Sequence, residues 1–431
     1  MPSSRTFGAT MRPASVLLAW LAALALPARA FSQELRAPDA LTLEAAQQLA
    51  LEAQPLLEAQ SATLEARRER AVAARQLPDP ELQAAVNELP VNGREAWSPS
   101  RDSDTDFMVG LVQEFPRAAK RRLRGERGDL LATQAQSELD ELQRRIRRDV
   151  GLAFLDAHHA ERSAEVVERQ VREILLERQS VELRVRSGTA SQADLLAIEV
   201  DADLLRDRVV QQRQAAARAR RQLARWIGMH AERPLAFAHA ADPDVQSLES
   251  LSASLPHHPS MQMLARAEDA AETEVALARQ EYRPDWRLEV GYGYRPEFSE
   301  MLTVRAAVDL PVFTRNRQDR EAAAARRDLA AASSRREDRL RELTAQIAAA
   351  HDEWRLLGER AASFAQRVLP RAQSRVEAAT VAYRAGRGTL AEAIAARRAL
   401  LDVELQALDL TIEREHRRVE LEYFAIRGAH L

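Results

Sequence analysis

The residues best placed to act on a solute are two carboxylates in matching phrases. Residues 185–201 read VRSGTASQADLLAIEVD and residues 383–404 read YRAGRGTLAEAIAARRALLDVE, an offset of 198 residues. In each, a Gly follows an Arg by two residues, and a Ser or Thr lies within the three residues after the Gly. A carboxylate then stands six residues past the Gly: Asp194 after Gly188, Glu392 after Gly386. The spacing predicts a helix closed by a left-handed Gly and a return helix capped by Ser191 or Thr389. The acid then falls in the first turn, where the positive end of the helix dipole suits an anion. Such acids either attract cations or merely stabilise their own helices, by about 0.3–1 kcal/mol. The neighbouring Arg186, Arg384 and Arg387 read as solvated.

Other chemistry is not expected. The chain carries no nucleophile elbow, phosphate-cradling Gly loop or zinc signature, so neither catalytic residues, nor a cofactor, nor a bound metal is anticipated. The pairs His158-His159 and His257-His258 read as helical surface. With no Cys there is no disulfide framework and no site for lipid attachment. A formal charge of −3 over 431 residues argues against a nucleic-acid partner, which needs a basic face.

The matching phrases belong to a longer duplication. LEAAQQLALEAQPLL (43–57) is answered by LESLSASLPHHPSM (248–261), with Pro55 and Pro259 in corresponding places. ARQLPDPEL (74–82) is answered by ARQEYRPDWRL (278–288), and LVQEFPRAAKRRLR (111–124) by AVDLPVFTRNRQDR (307–320). Two copies follow, 31–245 and 246–428, each reading as short helix, helix, strand pair and long helical hairpin. The hairpins span about 117–227 and 315–427. In the second, Leu340, Leu343, Ile347, Ala350, Trp354, Leu357, Ala361, Phe364 and Val368 step by three and four, a heptad seam. Ala135, Leu139, Leu142, Ile146, Val150 and Ala153 do the same in the first. A helix of about 70 residues is roughly 105 Å long and must lie beside partners of similar length. Segments 56–76 and 190–227, stacked end to end, are the partners expected. Pro370 should kink or break its helix.

The strands are expected at about 81–89, 105–115, 286–295 and 301–310. In WRLEVGYGYR, Trp286, Leu288, Val290, Tyr292 and Tyr294 alternate with polar or small residues, the period of a strand with one apolar face. Arg287, Glu289, Arg305 and Asp309 fall on the polar face. The lengths match tilted membrane-spanning strands, and Trp286, Tyr292 and Tyr294 would form an aromatic girdle. A soluble hairpin packed on helices fits the same pattern. In lipid, four strands cannot close a barrel, and an open edge is not tolerated there, so several chains would share one. Residues 1–30 read as a secretory signal: Arg5 and Arg12, an apolar run from Ala14 to Leu26, then Ala28-Arg29-Ala30.

In this order and duplication the chain resembles the TolC-type outer-membrane efflux proteins. The resemblance implies a mainly α fold with a small β part. Duplicated long-helix hairpins would form a trimeric α-barrel, and four strands per chain a 12-stranded outer-membrane β-barrel. It implies a homotrimer set in outer-membrane lipid, with its helical tunnel in the periplasm. The partners implied are a periplasmic adaptor protein and an inner-membrane RND-type pump. Conduction would be the function, and an enzyme is not expected. Asp194 and Glu392 match positions of carboxylates ringing the closed entrance, and Tyr383 a tyrosine of the gate. Gly388 and Ala395 depart from the pattern of that gate. Arg287, Glu289, Arg305 and Asp309 would face the lumen. VQEFPRAAKRRLR is similar to a segment of channels that export heavy-metal cations, with Ala118 and Ala119 where Gly is usual. Export of drugs or of secreted proteins through the same architecture is the alternative, and a periplasmic coiled-coil adaptor or scaffold is the alternative of another class.

Overall fold

A computed structural model describes residues 40–237 and 245–426; the expected signal at 1–30 lies outside them. The described residues open with two helices, α1 (Leu43–Ala53) and α2 (Pro55–Ala73), followed by β1 (Glu81–Asn87) and β2 (Asp106–Phe115). A helical hairpin follows, α3 (Ala118–Arg186) and α4 (Gln192–Ile227). The same order then recurs: α5 (Leu248–Ser254), α6 (Pro259–Gln280), β3 (Trp286–Tyr294), β4 (Met301–Val308), and a second hairpin built from α7 (Gln318–Ser363), α8 (Leu369–Arg384) and α9 (Leu390–Phe424).

The two long helices differ for a local reason. With no Pro, α3 runs unbroken for 69 residues, roughly 100 Å. Pro370 stands in the first turn of α8, where its missing N–H does no harm. Just before it, Phe364–Val368 form a π turn, with Leu369 N–H donating to the Phe364 carbonyl. Thus α7 and α8 continue one another across a break.

Side by side, the helices make one layer. Along one flank of α3 lie α2 and α4, meeting end to end where Gln54 Nε2 donates to the Trp226 carbonyl at 3.2 Å. Along the other lie α6 and α9, which in turn pack on α7 and α8. The seam residues Leu343, Ile347, Ala350 and Leu357 are buried in this layer, whereas Leu340 is exposed. At mid-height α1 lies on α3, so that Leu43, Ala46 and Ala50 close over Ile146, Val150 and Phe154. No helix among the described residues is long and apolar enough to cross a membrane.

One antiparallel sheet, in the order β1-β2-β3-β4, caps one end of the layer. Pairing of β2 with β3, Val112 opposite Glu289, joins the two copies. In the single chain β1 and β4 are free edges. Asp309, expected within a strand, lies one residue past β4, its N–H donating to the Asp285 carbonyl at 3.1 Å.

His258 corrects the expectation of a surface histidine. Pro259 starts α6, so His258 stands before the helix as its cap, and its Nδ1 accepts from Ser260 N–H at 3.3 Å. Its ring is fully buried, with Nε2 donating to the Tyr423 carbonyl at 3.2 Å.

Candidate functional site

The two turns that close the hairpins are the same structure built twice. In the first, Thr189 N–H donates to the Arg184 carbonyl at 2.8 Å and Gly188 N–H to Val185 at 3.0 Å. In the second, Arg387 N–H donates to the Ala382 carbonyl at 2.9 Å and Gly386 N–H to Tyr383 at 3.0 Å. This double bond is a Schellman closure, and it needs a left-handed residue. Gly188 at φ +73° and Gly386 at φ +69° supply it without strain.

Both return helices open with a capping box. Asp194 N–H donates to Ser191 Oγ at 3.1 Å, while Ser191 N–H donates to the Asp194 carboxylate at 3.0 Å. Thr389 and Glu392 exchange the same pair of bonds at 3.2 and 2.9 Å. These bonds favour the ionised acids and hold both carboxyls below the usual carboxylate range. Both side chains are solvent-facing, so a charged carboxylate is presented at each tip.

Tyr383 is buried between the hairpins, beside Val181, Ile198 and Leu390. Burial raises its hydroxyl pKa, and the Arg184 guanidinium lies over its ring at 4.4 Å.

Two carboxylates that sequence reasoning missed tie one hairpin to the other. Glu177 on α3 is buried and accepts from Arg397 of α9 at 3.1 Å and Arg384 of α8 at 3.3 Å. Arg384 is therefore not simply solvated. Asp201 on α4, also buried, pairs with Arg398 of α9 at 2.5 Å. A signal was present: Gln170, Ile174, Glu177 and Val181 step by four, three and four and are all buried. A carboxylate in an apolar seam demands a partner across it.

At the opposite end, the register sorts the sheet into two faces. Outward on one lie Leu82, Val86, Phe107, Val109, Leu111, Trp286, Val290, Tyr292, Tyr294, Leu302, Val304 and Val308, each at least 39% exposed. An exposed apolar face of this extent is not one that water favours. On the other face lie Gln83, Gly110, Arg287, Glu289, Gly291, Gly293, Thr303 and Arg305. Arg305 donates to Glu289 at 2.8 Å, and Arg287 approaches Asp309 at 4.0 Å. The four charged residues expected on a polar wall thus share one face or its rim.

Lys120, the chain's only lysine, is buried where helices meet sheet. Its ammonium reaches Asp285 at 2.6 Å and Glu281 at 3.1 Å, pinning the start of α3 to the α6–β3 junction. Among the described residues, no group of three His, Cys, Asp or Glu is disposed to hold a metal ion.

Comparison with known proteins adds a family match over part of the chain and a fold. Residues 250–424 match the family described as outer membrane efflux protein. No curated protein matches the chain in sequence. Among solved structures, the chain is similar to CusC, at 16% identity and a TM-score of 0.76, covering 89% of this chain and 92% of that one. VceC of Vibrio cholerae gives 18% identity and a TM-score of 0.70, covering 89% and 94%. The open state of the MtrE channel of Neisseria gonorrhoeae gives 17% and 0.69, covering 89% and 88%. The fold is that of the outer-membrane efflux channels.

Proposed function

We propose that, as an outer membrane efflux protein, the family its residues 250–424 match, this chain is one of three that together form a conduit out of the cell. Its place is the outer membrane, with the helices reaching into the periplasm. The observation that carries this reading is the sheet. It has one exposed apolar face, one polar face and two unpaired edges, at the end of a helix layer far too long for a globule. In lipid each unpaired edge N–H or C=O costs several kcal/mol. Pairing of β4 with β1 of the next copy removes both edges, and three copies give 12 strands, above the minimum of roughly eight for a closed barrel. The same ring places four helical positions per chain around a tunnel.

In this assembly Arg287, Glu289, Arg305 and Asp309 line the pore, and Trp286, Tyr292 and Tyr294 meet the lipid interface. Asp194 and Glu392, with Gly188, Gly386, Ser191, Thr389 and Tyr383, form the periplasmic entrance, where rings of carboxylates favour cations. A periplasmic adaptor and an inner-membrane pump deliver the cargo. An efflux-channel chain performs no chemistry of its own. Heavy-metal cations are the proposed cargo, supported by the segment 112–124 and the acidic entrance.

Solution scattering from detergent-extracted protein should show an elongated threefold particle, and fractionation should place the chain with the outer membrane. A compact single-chain particle would sink the reading. Loss of the gene should lower tolerance to zinc, cobalt or cadmium; lowered tolerance to dyes and antibiotics alone would reassign the cargo.

A further inference from the structure

The polar face of the sheet carries a sulfur-containing cluster at its far end from the helices. The register sets Met108 of β2 opposite Gly293 of β3, and Gly293 opposite Met301 of β4, so both methionines share that face and flank one glycine. A side chain at Gly293 would meet the Asp106 carboxylate at 2.6 Å, and one at Gly291 would meet the Met108 sulfur at 3.0 Å. The two glycines are therefore what let an oxygen anion and a thioether lie flat against the wall. Asn87 Nδ2 draws them together, lying 3.3 Å from Asp106 Oδ2 and 3.9 Å from Met108 Sδ. One weakly positive N–H thus sits where an anionic oxygen and a sulfur lone pair both point.

The geometry points to a binding site for a soft monovalent cation, of the copper(I) or silver(I) class, held by Met108, Met301 and Asp106 on the polar wall. Thioether sulfur is a soft ligand that selects such ions over magnesium, calcium or manganese. The carboxylate neutralises the charge, and the cation takes the place of the Asn87 N–H. Met108 is almost wholly covered while Met301 is half exposed, so one sulfur is fixed and the other free to close on an arriving ion. A site of so few ligands is weak, which suits conduction, because an ion must leave as readily as it binds. The inference rests on the channel reading only in calling this wall the pore; the cluster itself belongs to the single chain.

The chain has no Cys, so methionine supplies all its sulfur. Detergent-solubilised protein dialysed against silver nitrate in chloride-free buffer should retain silver, counted by mass spectrometry. The pair Met108→Leu and Met301→Leu, nearly volume-neutral, should weaken retention by tenfold or more. Met229→Leu, at a distant exposed methionine, should leave it unchanged. Because Met301 is exposed, Met301→Leu alone keeps the test available if the double variant misfolds, and it too should weaken retention. Retention equal in wild type and in both variants overturns the inference, whether or not the protein conducts. Conductance in bilayers is read separately: its absence overturns the channel reading and leaves the silver result to judge this site.

Discussion

Glu177 shows how much one side chain can hold together. Its buried carboxylate bridges α3 to both α8 and α9, and Arg397 beside it is itself mostly covered. Glu177→Ala leaves that guanidinium buried without its counter-ion and should destabilise the protein by roughly 3–5 kcal/mol. Arg384→Ala removes the more exposed partner and should cost less than about 1 kcal/mol. Thermal unfolding of the two variants checks the order; equal losses would contradict it. His258 makes a second residue-scale prediction. Burial lowers its pKa from 6.5 to about 4, so the folded chain holds it neutral while the unfolded chain protonates it below 6.5. Stability from this group is complete above pH 6.5 and is lost as pH falls toward 4, by roughly 2 kcal/mol at pH 5. Glu141, 4.0 Å away, acts with the opposite sign. Burial raises its pKa, so its contribution is present at low pH and lost as pH rises past 4.5. His258→Gln should flatten the melting temperature between pH 6.5 and 5; an unchanged slope would assign the acid sensitivity elsewhere.

At the scale of elements, the two tips are the informative comparison. Each turn joins a Schellman closure to a capping box, so Asp194 and Glu392 already have a structural use, and their helices gain about 1 kcal/mol each from the caps. A gate role is a separate claim with its own measurement. Asp194→Ala with Glu392→Ala should change conductance or cation preference in planar bilayers; unchanged values would leave these acids as caps alone. Ser191→Ala with Thr389→Ala is the control, since it removes a cap bond from each helix and keeps both charges. The long helices differ in the same comparative way. A proline-free α3 is continuous, while the π turn before Pro370 divides α7 from α8.

For the whole molecule, the decisive feature is the pair of open sheet edges. Consecutive β4 residues send their N–H groups to opposite sides, so Thr303→Pro and Val304→Pro strike the β3 ladder and the outer edge in turn. If the next chain's β1 pairs with β4, both substitutions should abolish the threefold particle, because proline cannot donate to either ladder. Gel filtration showing the wild-type assembly with both variants would mean that β4 is a true free edge.

Much of this was legible without coordinates. The duplicated phrases, the heptad seam and the period-two strands determine a mainly helical fold with a small sheet, because periodicity records which face of an element is buried. Gly188 and Gly386 announce turns because few other residues tolerate their backbone. Only the tertiary structure decided what those elements bring together across long stretches of sequence. Glu177 finds Arg397, His258 turns inward against Tyr423, and Met108 and Met301 line up across Gly293. Such pairings depend on which helix lies beside which and on strand register. Both are set by the packing of whole elements, and no local pattern in the chain encodes them.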